Sequence, residues 1–149
     1  MPSVEVTTTV AASSERVFEA ATDLARLPET MSGIDSVEVL SDGPFGEGTR
    51  WRETRTLYGK QATEEMWVTG FDPPRSYVVE AESHGAHYRT EITFVPEGDR
   101  TRVTFVFGAR PLSFFARLFS VFSGLMLKSV RKALEQDLDD LKRVVESAG

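Results

Sequence analysis

Glu53, Arg55, Glu64 and Tyr88 are the side chains whose types and spacing let them act together chemically. Tyr58-Gly59 reads as a two-residue hairpin loop. Such a loop fixes the facing positions, so Trp51 lies opposite Met66, Arg52 opposite Glu65 and Glu53 opposite Glu64. Arg55 is two residues along on the same face, and Tyr88 falls in the same layer. Neighbouring carboxylates in a partly dry site repel, which drives one toward the neutral acid and suits it to act as proton donor or base near neutrality; Arg55 opposes that shift. Glu53, Glu64 and Tyr88 are therefore the candidate catalytic groups. With Arg55 they equally make a polar anchor that orients a carbonyl, hydroxyl or carboxylate of a bound molecule. The same charges also fit an open sheet end, where they reach water and pair with Arg55.

Other chemistries are limited by composition. The 149 residues hold no cysteine, so thiolate nucleophiles, disulfides and Cys-ligated zinc are excluded. Two histidines rule out a three-His centre. His84 falls in a turn and His87 opposite Glu82 on the outer face, where both read as solvated surface groups. Glu53, Glu64 and a turn histidine lack any metal-ligand spacing, and GPFGEG lacks the Lys-Ser/Thr of a phosphate loop, so neither metal nor cofactor is expected. A net charge of −6 argues against nucleic acid or an anionic membrane as the main partner. MPSVEVTTTV has no basic stretch leading into an apolar one, so no signal peptide and a cytoplasmic setting are expected. Leu112 to Leu127 is apolar but interrupted by Arg117 and several serines, and is shorter than a membrane span.

These groups need elements to position them. Val4, Val6, Thr8 and Val10 alternate with polar residues, predicting a strand at 3–10. Ser13 is a fitting N-cap for a helix at 14–21, and Asp23 for a second short helix ending near Pro28. From Ile34 to Phe107 short alternating segments separated by turn residues predict an antiparallel meander. A loop centred on Asp72-Pro73 places Val68 opposite Tyr77, Met66 opposite Val79 and Glu64 opposite Ala81. His84-Gly85 places Ala81 opposite Tyr88, Val79 opposite Thr90 and Tyr77 opposite Ile92. Glu97-Gly98 places Tyr88 opposite Phe107, Thr90 opposite Phe105 and Ile92 opposite Val103. All four hairpins then agree on one apolar face, while Arg52/Glu65, Glu80/Arg89 and Glu82/His87 collect on the other. Trp67 falls on that outer face opposite Arg50, suited to stacking on the guanidinium.

The cover for the apolar face is the C-terminal segment. Phe115, Phe119, Phe122, Met126, Val130, Leu134, Leu138, Leu141 and Val145 follow steps of three and four, predicting one long helix from about 112 to 146 with a bend near Gly124. Phe114, Leu118, Val121 and Leu125 add a second apolar face to its first half. That surplus is either sunk into the domain, used by a second copy of the chain, or left for peripheral contact with a membrane.

A strand, two small helices, six meander strands and a long closing helix make an α+β chain of one domain over 1–149. It resembles the START-like, or helix-grip, fold: a curved seven-stranded antiparallel sheet wrapped on a C-terminal helix, with two short helices between strands 1 and 2. VEVTTTVAASSERVFEAATDLARLPE, the turn GEGTRW, FDPPRSYVVE, EGDRTRVTFVF and ALEQDLDDLKRVVE are similar to the SRPBCC branch called polyketide cyclase/dehydrase and lipid transport proteins. Members of that superfamily include lipid and hormone binders, aromatic cyclases and coenzyme Q-binding proteins, so the resemblance implies a fold more than an activity. It implies an elongated apolar pocket between sheet and helix. Its expected lining is Trp51, Glu53, Arg55, Glu64, Met66, Tyr77, Val79, Tyr88, Thr90, Phe105 and Phe107 from the sheet, and Phe115, Phe119, Phe122 and Met126 from the helix. The first expectation is binding of a hydrophobic lipid, isoprenoid or aromatic polyketide-like molecule. A cyclase/dehydratase moving protons with Glu53, Glu64 or Tyr88 is the second, and an interaction protein using the surplus helix face is the third.

Overall fold

The computed structural model describes residues 3–57, 59–83, 85–112 and 124–148. Alternation over Ser3–Val10 gives strand β1, which buries Val4, Val6 and Val10. Helix α1, Ser14–Thr22, starts where the Ser13 hydroxyl accepts the Arg16 backbone N–H at 3.3 Å, satisfying one of the free donors of the first turn. The expected second short helix is instead a 3-10 turn at Leu24–Arg26 followed by helix α2 at Leu27–Thr30. Asp23 makes no side-chain cap, and Pro28 opens α2, where its missing N–H forfeits no hydrogen bond, rather than ending a helix.

Strands β2 (Ile34–Val39), β3 (Arg50–Leu57), β4 (Lys60–Asp72), β5 (Ser76–Ser83), β6 (Ala86–Glu97) and β7 (Arg100–Pro111) complete a curved antiparallel sheet in the order β1-β7-β6-β5-β4-β3-β2. β3 pairs with β4, and β5 with β6, in the registers read from their turns. The other two hairpins are displaced by two residues, and β4–β5 by three beyond its bulge. Val68 faces Val79 and Met66 faces Ala81, because the turn spans residues 73–75 with Asp72 facing Ser76, and a bulge follows Val68. Arg75 closes that turn by donating its N–H to the Asp72 carbonyl at 2.8 Å and its guanidinium to the Asp72 carboxylate. Tyr88 faces Ala109, Thr90 faces Phe107 and Ile92 faces Phe105, because the β6–β7 loop is Gly98-Asp99, with Gly98 at φ +67°. A slip of two keeps side chains on their own faces, so the apolar face survives through Val68 and along β6–β7; beyond the bulge the pairing is displaced by three, and Phe71 faces Tyr77 and turns inward, its ring 5.9 Å from those of Phe18 and Phe45.

The outer face also re-sorts its ions. Glu65 meets Arg50 at 2.6 Å rather than its cross-strand neighbour Arg52, which reaches Glu38 at 3.1 Å. Glu80 faces Arg89 in register, yet its carboxylate closes on His87 at 2.6 Å, and Glu82 holds the other ring nitrogen at 2.9 Å. Arg50 lies 4.8 Å from the centre of the Trp67 ring.

Helix α3, Gly124–Ala148, lies on the inner face and buries Leu138, Leu141 and Val145 in the core. This is the helix-grip arrangement. Lys142 donates to the Thr9 carbonyl at 2.6 Å and Arg131 to that of Glu5 at 3.0 Å, tying α3 to β1. Asp140, fully buried, accepts the Ser32 N–H at 2.8 Å and its hydroxyl at 2.7 Å, tying α3 to the loop after α2. Burial disfavours its charge, but the two Ser32 donors and then Gln136 and Arg143 outweigh that and hold its pKa below the usual aspartate value. β7 runs on to Pro111, and Leu112 sits in a bend with its N–H on the Gly85 carbonyl at 2.8 Å; the expected start of the closing helix at about 112 leads into residues 113–123, which lie outside the described residues. Phe114, Phe115, Leu118, Phe119, Val121 and Phe122, with His84, lie outside the described residues; Leu125 and Met126 fall in the first turn of α3. Among the described residues, no helix is long and apolar enough to cross a membrane.

Candidate functional site

Between the inner face of the sheet, the short helices and α3 lies a cavity of about 270 Å³. Its floor is Trp51, Met66, Tyr77, Val79, Thr90, Ile92, Phe105 and Phe107; Val130, Ala133 and Leu134 of α3 face them. Ala21, Leu24, Leu27, Met31 and Ile34 close one side. Phe45 folds in from the loop before β3 and packs edge-on to Tyr77 at 5.4 Å between ring centres and tilted against Trp51 at 6.1 Å. A wall this apolar excludes water and gives little hold to a polar molecule.

Charge enters this wall in one cluster. Glu53, on β3, is 5% exposed, and Asp137, on α3, 3%. Arg55 stands between them: its Nε donates to Glu53 Oε2 at 2.7 Å, and its two terminal nitrogens donate to Asp137 Oδ1 at 3.1 Å and Oδ2 at 2.8 Å. The Trp51 indole N–H adds a long contact of 3.4 Å to Glu53 Oε1. β3 can present Glu53 and Arg55 together because residues two apart on a strand share a face. Asp137 points at them because it sits on the inward stripe of α3, three residues after Leu134 and four before Leu141. Two buried carboxylates around one cation are stable only where hydrogen bonds replace the lost hydration, which the forked guanidinium does.

The electrostatics follow from that geometry. Burial works against the Arg55 charge, but Asp137 and then Glu53 outweigh it and hold the guanidinium more firmly protonated than usual. The Asp137 carboxyl is pushed above the ordinary aspartate value by burial, which Arg55 offsets only in part while Glu53 and Asp140 add to the rise. Tyr77 is raised by burial first, then by Glu53 and Asp137, so its hydroxyl stays protonated. Asp137 is thus the acid of this cluster whose affinity for a proton is increased, and Arg55 is the group that spans its two carboxylates.

Of the residues singled out in the sequence, Trp51, Glu53, Arg55, Met66, Tyr77, Val79, Thr90, Phe105 and Phe107 line the cavity. Glu64 and Tyr88 stand outside its described lining. Glu64 faces Glu53 across β3–β4, and its Oε2 is buried without a hydrogen-bond partner among the described residues. Tyr88 stacks on Phe107 at 5.7 Å, and its hydroxyl is raised by burial and then by Glu64. Asp137 was missed in the sequence, although an acid inside an otherwise apolar helical stripe was the available signal. Phe45 was hidden in a segment whose glycines and proline read only as a turn. Among the described residues, no group of three or more His, Asp or Glu side chains is arranged to hold a metal.

The family model described as polyketide cyclase / dehydrase and lipid transport matches residues 1–146. No curated protein matches in sequence. Among solved structures, the chain is similar to TTHA0849 from Thermus thermophilus, with 25% identity, a TM-score of 0.81 and 99% of each chain covered. A START superfamily protein from Mycobacterium smegmatis superposes with a TM-score of 0.82 at 18% identity, again with 99% of each chain covered. Norcoclaurine synthase from Thalictrum flavum, solved with dopamine and hydroxybenzaldehyde, superposes at 0.74 with 17% identity, covering 99% of this chain and 88% of its own. The last two likenesses speak to fold alone.

Proposed function

Because the chain belongs to the polyketide cyclase / dehydrase and lipid transport family, whose fold fits a binder of hydrophobic ligands, we propose that it holds a hydrophobic small molecule in the cavity between its sheet and α3. The observation that carries this reading is the composition of the cavity wall: apolar and aromatic side chains almost throughout its described residues, with charge among them confined to Glu53, Arg55 and Asp137. A cavity of about 270 Å³ lies at the small end of ligand pockets, which suits a compact ring system better than a two-chain lipid. Removing such a molecule from water supplies the affinity, at about 25 cal/mol for each Å² of apolar surface buried. The charged cluster fixes its orientation.

Native mass spectrometry after mild purification, followed by thermal unfolding against a panel of aromatic and isoprenoid compounds, tests the reading. A bound apolar adduct, or a compound present at about a hundred times its Kd that adds roughly 2.7 kcal/mol to stability, is the expected result. No adduct and no shift from any member of the panel would count against it.

A further inference from the structure

The charged end of the cavity has a definite sign. Three carboxylates, Glu53, Glu64 and Asp137, gather on this side of the sheet–helix interface, and Arg55 is the one cation among the described cavity-lining residues. Three of the five N–H groups of its guanidinium are already committed, one to Glu53 and two to Asp137. The carboxylates are less occupied. Each offers about four lone-pair sites, and the donors reaching Glu53 and Asp137 within the described residues are the Arg55 N–H groups and the distant Trp51 indole. Glu64 Oε2 is buried with no donor among the described residues. The cluster therefore has more acceptor capacity than donor capacity to spare, and its acidic groups outnumber its one cation.

From this imbalance we infer that the cavity selects neutral ring compounds bearing a hydroxyl group and rejects those bearing a carboxylate. The inference rests on the ligand-binding reading above and names the chemical class it takes. A hydroxyl placed at the polar end donates to a free lone pair of Glu53 or Asp137 and keeps the cluster's charge unchanged. A carboxylate brought to the same place meets a surplus of acidic groups in a partly dry setting, and the single cation it could pair with is already clamped between two acids. Such an anion loses its hydration without gaining a counter-ion.

Three probes of one ring system separate the possibilities: naphthalene, 2-naphthol and 2-naphthoate, titrated calorimetrically into the wild-type protein at neutral pH. The expected order is naphthol tightest, then naphthalene, with naphthoate weaker than naphthol by about tenfold or more. Naphthoate binding as tightly as naphthol, or more tightly, overturns the inference while leaving cavity binding intact. Failure of all three to bind overturns the ligand-binding reading itself. A Glu53→Gln, Asp137→Asn double variant, checked for a native near-UV spectrum, frees Arg55 from both charges and should bring naphthoate to at least parity with naphthol. Should it unfold, the order measured on the wild-type protein still decides. An unchanged order in a folded double variant means that the acids do not set the preference and counts against the inference.

Discussion

Arg55 of β3 and Asp137 of α3 meet in a two-pronged ion pair, at 3.1 and 2.8 Å, that crosses the gap between sheet and closing helix at the edge of the cavity. The contact spans 82 residues of sequence. It fixes one point of the cavity's width, and Glu53 behind Arg55 fixes the guanidinium in turn.

Arg55→Met keeps most of the side chain's apolar length and removes the cation, leaving Glu53 and Asp137 buried without their counter-charge. Breaking a buried pair this way typically costs about 3–5 kcal/mol. Urea unfolding at neutral pH should show a loss of about that size. A loss below about 1 kcal/mol would mean that the pair has little hold on the fold.

Gly33 lies against the same cluster. A Cβ built there comes within 3.1 Å of an Arg55 terminal nitrogen and 3.7 Å of Asp137 Oδ1. Gly33→Ala should therefore displace the guanidinium by a few tenths of an ångström and destabilise the protein by about 1 kcal/mol. The structure of the variant checks this: an unmoved Arg55–Asp137 pair with unchanged stability contradicts it.

His87 carries a pH signature on the opposite face. Hydrogen bonds donated to Glu80 and then to Glu82 raise its pKa above the ordinary histidine value, with burial opposing. A group raised on folding adds stability that is fully present below its unfolded value, near 6.5, and is lost as pH climbs through the folded value. His87→Gln should cost about 1 kcal/mol at pH 5.5 and nothing measurable at pH 9. Equal costs at both values would show that the imidazolium contributes nothing.

Much of this fold was legible because period-two alternation and turn chemistry are local. The β3–β4 and β5–β6 registers follow directly from two-residue loops. The β4–β5 and β6–β7 registers slipped because the presence of Pro or Gly fixes neither the length nor the placing of a loop: Asp72 turns over three residues, and Gly98 opens its two-residue loop instead of closing it. Slips of two preserve faces, so the cavity floor was readable even where the pairing was not. The polar cluster was half readable. Glu53 and Arg55 share a strand, but Asp137 joins them through a tertiary approach that no local pattern encodes, and its place on the apolar stripe of α3 was the one trace of it. Phe45 is a similar case, since only the folded loop turns its ring toward Trp51 and Tyr77.

The central claim is that the space between sheet and α3 receives a ligand. Intermolecular NOEs between 2-naphthol and the methyl groups of Val79, Val130 and Leu134, which line that space from both sides, test it most directly. NOEs are expected to the sheet methyls of Val79 and to the helix methyls of Val130 and Leu134 in the same saturated complex. NOEs confined to outer-face residues such as Val95, or none from a saturated complex, would contradict it.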